Sequence, residues 1–305
     1  MESQSSKVMV ILLLYYALSS AAYAADVLIV CSKDCSSNRA TITSFVSYLK
    51  AQDPDIQFHK LSLSTLEIMP DMLPGGPPPS LIFALDFEAA DRISKVFDKI
   101  PMVLGIAAQE TDITELPNAT GVVVVYGVKA QLEWMQHIAP SVHRVGVLYS
   151  TPTSFKMVER AQQTAPSLGL KIIAQEVIEM KDLPGALTNL LREVDILWGI
   201  PDAQIYTRQT ARAVLLAAFR QRIPMVGMSS AWVKAGALYA LGWNASDLGV
   251  QSGELAIKLL SGEQASQLPP QRPRQTTFSL NLKTVRHCNF PIPDQIIKTA
   301  SHVFK

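Results

Sequence analysis

Small and polar residues follow three apolar segments in the second half of the chain, where they are placed to bind a ligand. The three groups are Gly199 to Asp202, Gly227 to Ser230 and Leu241 to Asn244. Short apolar segments that alternate with helix-patterned segments of ten or more residues are typical of a parallel βαβ sheet. Such sheets bind ligands beyond the carboxyl ends of their strands. The sequence therefore predicts a binding site at these strand ends.

Motifs for catalysis are weak by comparison. The five histidines stand apart, and none lies in an HExxH motif. The segment from Gly227 to Ala231 lacks the second glycine of a G-x-S-x-G nucleophile elbow. Asp195 and Asp202 flank one predicted strand, but Asp195 is explained more simply as a turn residue. We therefore predict no catalytic residues and a protein that is not an enzyme.

Cofactor motifs are also missing from the sequence. The segment from Pro74 to Pro77 contains two glycines but no Lys, Ser or Thr where a phosphate loop needs them. No G-x-G-x-x-G follows the first predicted strand. The cysteines have no histidine nearby at zinc-ligand spacing. We expect no cofactor and no metal.

Composition limits the class of protein further. The chain has 305 residues, of which 48% are hydrophobic and 17% charged, so a large core in about two domains is expected. Its net charge is +1, without a long basic or acidic block. This charge gives no electrostatic argument for binding nucleic acid or an anionic membrane.

The N-terminal residues are typical of a signal peptide. Lys7 precedes the apolar run from Val8 to Leu18, and small residues then lead to Ala22-Tyr23-Ala24. This order matches a short apolar segment with an A-x-A cleavage site, so residues 1–24 are predicted to be removed. The alternative is a buried first helix. No later segment is long and apolar enough for a transmembrane helix, so the mature chain is expected to be soluble.

The three cysteines leave two alternatives. An oxidising compartment would allow Cys31 and Cys35 to close a small loop after the first strand. However, strand ends seldom bring such close neighbours into disulfide geometry. We therefore favour three unpaired thiols, with Cys288 unpaired in either case.

Two series of alternating strands and helices predict an α/β fold with two Rossmann-like lobes and parallel sheets. We expect 26–125 plus part of 244–305 in lobe one, and 126–243 plus part of 276–305 in lobe two. The strand Thr276 to Leu282 is expected to return to the first lobe, because it has no helical partner of its own in the second. A last helix is predicted from Asp294 to Val303. Two lobes without catalytic motifs are typical of a protein that closes about a hinge around a ligand.

Several segments resemble one protein family in order along the chain. They are Asn118 to Val122, Leu132 to Pro140, Arg144 to Tyr149, Leu168 to Leu170, Asp195 to Asp202, Ile223 to Gly227, Lys234 to Leu238, Asp247 to Gly249, Leu259 to Glu263 and Asn281 to Thr284. This pattern resembles the ABC-transporter substrate-binding proteins of the tryptophan/tyrosine-like group. The resemblance implies a type I periplasmic-binding fold with three crossovers between lobes, an amino acid or related small ligand, an inner-membrane ABC permease as partner, and a monomer in the periplasm.

Two turns depart from the family pattern. Ala107 to Glu110 stands where the family usually has an Asp-Pro turn, and Leu85-Asp86-Phe87 stands where a Gly-Thr turn is usual. Both turns are expected to face the cleft. An altered ligand, or loss of the amino-acid ligand, is therefore a second interpretation.

Strand ends and the family outline together predict ten ligand-binding residues. In lobe one they are Ser36, Ser37, Asp86, Phe87 and Gln109, and in lobe two Tyr149, Thr153, Ser154, Asp202 and Ser229. Hydroxyls would hold a carboxylate, Asp202 would receive an ammonium group, and Phe87 or Tyr149 would stack on an apolar part. The alternative for each residue is a cap or a turn. Trp198 and Trp232 are assigned to packing.

The leading hypothesis is an exported solute-binding protein that captures a small organic molecule between two lobes and delivers it to a permease. The alternative is a sensory or partner-binding protein of the same fold that acts on a membrane receptor or kinase. The absence of a ligand-dependent change in compactness, together with retained binding to a membrane protein, would favour the alternative.

Overall fold

The computed structural model describes residues 25–63, 78–116, 118–207 and 209–305. The predicted signal peptide lies outside these ranges, as do most of the proline-rich segment 69–79 and the side chain of Ser37. None of the helices in the described ranges is long and apolar enough to cross a membrane.

The described part of the chain contains twelve β-strands. They are β1 (Asp26–Cys31), β2 (Gln57–Ser62), β3 (Leu81–Asp86), β4 (Met102–Ala107), β5 (Ala119–Val123), β6 (Arg144–Tyr149), β7 (Lys171–Glu176), β8 (Ile196–Trp198), β9 (Met225–Val226), β10 (Tyr239–Trp243), β11 (Thr276–Asn281) and β12 (His302–Phe304).

Eleven α-helices connect or follow these strands within the described ranges. They are α1 (Arg39–Gln52), α2 (Phe87–Ser94), α3 (Thr111–Thr114), α4 (Val128–Ile138), α5 (Pro152–Thr164), α6 (Leu183–Leu190), α7 (Thr210–Arg220), α8 (Ser230–Ala235), α9 (Ala245–Leu260), α10 (Leu282–Cys288) and α11 (Asp294–Thr299).

The chain divides into two compact units, which we call lobe one and lobe two. Lobe one comprises the described residues up to Val123 together with Ala245–Pro273. Lobe two comprises Val124–Asn244 and Arg274–Lys305. The chain therefore passes from one lobe to the other three times. The predicted α/β class with Rossmann-like lobes is confirmed.

Lobe one contains a parallel five-stranded sheet in the order β2-β1-β3-β4-β5. Strands β1 and β3 are buried almost throughout, as expected for continuous apolar strands covered on both faces. Phe45 of α1 stacks on Phe83 of β3 with ring centroids 3.9 Å apart. The packing of α1 onto the sheet thus forms one side of the lobe-one core.

Helix α9 approaches α1 closely at two glycines. A Cβ at Gly249 would lie 2.2 Å from the Thr41 carbonyl oxygen, and one at Gly253 would lie 2.6 Å from the Tyr48 ring. Gly249 and Gly253 are four residues apart and so share one face of α9. Only glycine at these positions allows the two helix backbones to pack at this distance.

Lobe two contains a seven-stranded sheet in the order β12-β11-β10-β9-β8-β6-β7. Strands β6 to β10 run parallel, and β11 pairs antiparallel with β10. The expectation that the strand from Thr276 returns to lobe one is therefore wrong. Phe278 and Leu280 of β11 are buried in the lobe-two core, and this burial holds the strand there.

The C-terminal residues also differ from the prediction. The helix predicted from Asp294 to Val303 ends at Thr299, and β12 then pairs parallel with β11. Pairing with the edge of β11 satisfies backbone groups of residues 302–304 that a longer helix would have satisfied internally.

Cys31 and Cys35 form a disulfide, so the expectation of three unpaired thiols is wrong. The chain turns directly after β1 into a 3₁₀ helix at Cys35–Asn38, which brings the two Cα atoms to 5.7 Å. This separation lies within the usual range for a disulfide. Cys288 is a free thiol.

Candidate functional site in lobe two

The carboxyl ends of β8, β9 and β10 lie side by side in lobe two. Trp198 of β8 pairs with Val226 of β9, which pairs with Tyr239 of β10. Because the three strands are parallel, the residues that follow them lie at one edge of the sheet. The structure thus brings together the three groups from which the sequence predicts a site.

A recess of about 110 Å³ lies at this edge, and we call it the aromatic recess. Its lining includes four aromatic side chains and two glycines, namely Tyr126, Trp198, Tyr239, Trp243, Gly199 and Gly227. Ligand sites that enclose a whole drug-sized molecule have volumes of roughly 300–1,000 Å³. The aromatic recess is therefore suited to a single ring or apolar group of a ligand.

Hydrogen bonds hold the polar groups of this recess in place. Trp198 Nε1 donates to Gln131 Oε1 at 3.1 Å, and Gln131 Nε2 donates to the Tyr126 carbonyl oxygen at 2.7 Å. Tyr126 Oη donates to the Gly242 carbonyl oxygen at 2.6 Å. Burial raises the pKa of Tyr126 against the opposing effect of a hydrogen bond with Thr276, so the phenol stays protonated. The network links the start of α4 to β8 and β10.

Two glycines keep the strand ends open. A Cβ at Gly227 would lie 2.6 Å from the Trp232 Cβ, and a Cβ at Gly199 would lie 3.0 Å from the Val226 carbonyl oxygen. A larger side chain at either position would displace the strand end or its neighbour. The glycines therefore preserve the spacing of the strands that line the recess.

Asp202 is buried beside this edge, with 5% of its surface exposed. One carboxylate oxygen accepts from Ser150 Oγ at 2.7 Å and from the Gln204 and Ile205 amides at 3.1 Å each. The other accepts from the Ser150 amide at 2.8 Å and from Ser154 Oγ at 2.6 Å. The carboxylate thus joins the turn after β6 to the turn after β8.

Burial by itself would raise the pKa of Asp202. Hydrogen bonds from Ser154, Ser150 and the backbone outweigh this effect, so the pKa lies below its usual value. The carboxylate therefore stays charged while it orders the two turns. That Asp202 receives a ligand ammonium group stays a prediction. Both of its carboxylate oxygen atoms already accept hydrogen bonds within the lobe.

The other predicted residues of lobe two differ in exposure. Ser154 is buried and forms a capping box with Thr151 at the start of α5. Thr153 is exposed in the first turn of α5, and Ser229 is exposed directly before α8. Tyr149 is half-buried at the end of β6, and its ring lies 5.6 Å from that of Phe155. In lobe two, Thr153 and Ser229 are therefore the predicted residues whose hydroxyls lie on the exposed surface.

The predicted residues of lobe one lie at the ends of β1, β3 and β4. Asp86 accepts from Ser32 Oγ at 2.9 Å and from the Ala89 amide at 3.0 Å, so it caps α2 and joins two turns. Ser36 Oγ donates to Asp34, and the Gln109 amide donates to Asp112. Phe87 packs against the lobe-one core. These contacts agree with the alternative of caps and turns.

None of the ten predicted ligand-binding residues lines the aromatic recess, so sequence reasoning missed the residues that form it. Tyr126 lies just before α4, and Gln131 lies in the first turn of that helix. Tyr239 begins β10 and Trp243 ends it. Trp198 was assigned to packing, and it is indeed buried, but it also lines the recess. The only signal in the sequence was the position of Trp198 and Trp243 beside two predicted strand ends.

Comparison with known proteins supports the family resemblance. The family model described as "ABC transporter substrate binding protein" matches residues 78–304. A tyrosine-binding protein of Clostridioides difficile (strain R20291) is 22% identical over 215 residues. The match covers 68% of this chain and 62% of that protein, so the chain spans about three fifths of the relative's length.

Solved structures share the fold. A domain from Streptococcus pneumonia in complex with L-Trp is 19% identical with a TM-score of 0.63, covering 92% of this chain and 100% of that one. A ligand-free, open substrate binding protein with adhesive properties from Clostridium difficile is 21% identical with a TM-score of 0.75. The match covers 92% of this chain and 99% of that one. With the family model matching most of the sequence, the resemblance is confirmed: this chain belongs to the family of ABC transporter substrate-binding proteins.

Proposed function

We propose that this protein captures an aromatic amino acid, or a related compound with a flat ring, and delivers it to an ABC permease. The observation that carries the proposal is the aromatic recess at the carboxyl ends of β8, β9 and β10. Two relatives support it, since one is named for tyrosine and the other was solved with L-Trp. The function is binding and release rather than catalysis.

The recess suits the apolar end of such a ligand. Offset or edge-to-face contacts between aromatic rings contribute about 0.5–1.5 kcal/mol each beyond the area they bury. Tyr126 and Trp198 are held in position by hydrogen bonds, so little side-chain entropy is lost when a ring enters. The hydroxyls of Thr153 and Ser229 are proposed to meet the polar end of the ligand.

The remaining steps of the proposed cycle follow the family outline. Residues 1–24 direct export and are removed, and the mature monomer works in the periplasm. Closure of the two lobes around the ligand is the working step, because a ligand that binds the closed state more tightly shifts the population toward it. The permease receives the ligand when the lobes open again.

Titration calorimetry of the purified mature chain tests the ligand class. We expect heat of binding with L-Trp, L-Tyr or L-Phe, and none with L-Leu at the same concentrations. Trp243→Ala should weaken binding by about tenfold or more, since it removes a ring from the recess. The matched change Trp134→Ala removes a ring that packs on Phe278 outside the recess, and it should leave the Kd within about twofold.

Native and denaturing mass spectrometry of the protein from its own periplasm complements the titration. Extra mass that is lost on denaturation would identify a co-purified ligand, and the same spectrum would show whether the chain begins at Ala25. An absence of both extra mass and binding heat would contradict the proposal. A sensory or partner-binding role for the same fold would then lead.

A further inference from the structure

A groove of about 650 Å³ lies between α7 and α8 of lobe two, and we call it the α7–α8 groove. Its walls are mostly apolar, with Leu215, Leu216 and Phe219 from α7 and Ala231, Trp232 and Ala235 from α8. Leu216 is 45% exposed although it lines this groove. Such a concentration of exposed apolar surface is typical of an interaction site.

The spacing of the groove residues describes one helix face. Arg212, Leu215, Leu216 and Phe219 stand at positions i, i+3, i+4 and i+7 of α7. Residues at this spacing normally face a packing partner. Leu215 is buried and Phe219 stacks on His287, but Arg212 and Leu216 face open space in the groove. This space is of the kind that an amphipathic helix occupies when it binds a groove.

The sequence around the groove carries only positive charge. No Asp or Glu occurs between Asp202 and Asp247, whereas this stretch contains five cationic residues: Arg208, Arg212, Arg220, Arg222 and Lys234. Arg212 itself lines the groove. Among the described residues, no carboxylate forms an ion pair with Arg212 or Lys234.

Helix α10 adds to the positive charge at one end. Thr284 Oγ1 donates to the Gly236 carbonyl oxygen at 2.9 Å, and the His287 ring stacks on Phe219 with centroids 3.6 Å apart. These contacts place α10 beside both walls of the groove. Its sequence, LKTVRHC, contains Lys283 and Arg286 and no acidic residue.

We propose that the α7–α8 groove docks an amphipathic helix of a protein partner, one that carries acidic residues beside its apolar face. The apolar walls would bury the leucine or phenylalanine side chains of that helix, and Arg212 and Lys234 would pair with its carboxylates. Opposite charge favours this partner and repels a basic one. The site is separate from the aromatic recess, so the proposal does not depend on the ligand.

A designed peptide of about 18 residues provides the probe, since shorter helices are marginal in water. One peptide carries leucines at i, i+3, i+4 and i+7 with glutamates beside them, and its counterpart carries lysines in place of the glutamates. Fluorescence anisotropy with the full mature chain measures both. We expect the acidic peptide to bind at least about tenfold more tightly than the basic one, with weaker binding as salt increases.

Two variants and their matched controls locate the binding. Leu216→Glu places a carboxylate among the apolar walls and should weaken binding of the acidic peptide by about tenfold or more. Ile178→Glu makes the same change at an apolar residue that is 82% exposed elsewhere in lobe two, and it should have no effect. Arg212→Glu should weaken binding about threefold or more and reduce its salt dependence, whereas Lys156→Glu on α5 should not.

Three results would overturn the proposal. The first is equal binding of the acidic and basic peptides, and the second is an equal effect of Leu216→Glu and Ile178→Glu. The third is self-association of the free protein in sedimentation that Leu216→Glu abolishes, which would show that a second copy covers the groove. Binding of aromatic amino acids, measured on the same variants, should be unchanged, so failure here and failure of the proposed function are distinguishable.

Discussion

Ser154 Oγ donates a hydrogen bond of 2.6 Å to the Asp202 carboxylate, which joins the first turn of α5 to the turn after β8. The two residues are 48 positions apart in the sequence. Both are almost fully buried, with 1% and 5% of their surfaces exposed. Hydrogen bonds to a buried charged group are stronger than neutral ones, so this contact should stabilise the edge of the sheet that forms the aromatic recess.

Asp202→Asn should lower the stability of the protein in a pH-dependent way. The folded pKa of Asp202 lies below the unfolded value, so its contribution is present above the unfolded pKa and is lost as pH falls through the folded one. The difference in unfolding free energy from the wild type should therefore be largest above about pH 5 and shrink below about pH 4. Urea denaturation across this range measures it.

Asp91→Asn is the control for this change. Asp91 forms an exposed ion pair with Lys95, and such pairs contribute roughly 0–1 kcal/mol. The control should therefore show a small difference at every pH. An Asp202→Asn difference that is equally small, or that grows on acidification, would contradict the role assigned to Asp202.

Ser154→Ala should lower the unfolding free energy by about 1–3 kcal/mol, since it removes the bond to Asp202 and one half of the capping box. The neighbouring change Thr153→Ala removes an exposed hydroxyl and should cost less than about 0.5 kcal/mol. Chemical denaturation of the two variants decides the point. Similar losses would show that the Ser154 contact adds nothing measurable.

Gly249→Ala should destabilise the protein by about 2 kcal/mol or more. The added Cβ would collide with the Thr41 carbonyl oxygen and force α9 away from α1, and this cost exceeds the gain of about 1 kcal/mol in helix propensity. Gly185→Ala in α6 is the matched control, because a Cβ there meets nothing within 4 Å. It should leave stability unchanged or raise it by up to about 1 kcal/mol, as thermal unfolding can show.

Thiol labelling tests the disulfide. In denatured, non-reduced protein from an oxidising compartment, one thiol should react, namely Cys288, and three should react after reduction. Replacing Cys31 and Cys35 by serine should cost at most about 2 kcal/mol, since the closed loop is short and little unfolded-state entropy is at stake. Labelling of three thiols before reduction would refute the pairing.

Tyr126→Phe should weaken ligand binding as well as the fold. The change removes the bond from Tyr126 Oη to the Gly242 carbonyl oxygen, worth about 1 kcal/mol, and leaves the ring itself free to turn in the recess. We expect a Kd for the aromatic ligand about threefold to tenfold higher. Tyr48→Phe in α1 of lobe one should not change the Kd, and an equal effect of both would contradict the role of Tyr126.

Local patterns explain what could be predicted of the fold. Strands β1, β3 and β6 are each a continuous apolar run in the sequence, and the apolar residues of α1 follow a helical spacing. Although a helix-patterned segment of the sequence starts at about Gln204, α7 begins only at Thr210, and Asp202 accepts the Gln204 and Ile205 amides and so orders a turn before it. A side chain of one turn thus overrode the helical pattern that followed it.

By itself the sequence determined the α/β class and the three strand ends at which small and polar residues collect, because these features depend on composition and short-range spacing. Its resemblance to known proteins indicated the family. Only the tertiary structure decided that β11 joins lobe two and that Asp202 accepts hydrogen bonds from both Ser150 and Ser154. It also decided that Tyr126, 116 positions from Gly242, helps form the aromatic recess. These outcomes depend on contacts between residues far apart in the chain, whose pairing is selected by burial and hydrogen bonding in the folded lobe and leaves no periodic pattern in the sequence.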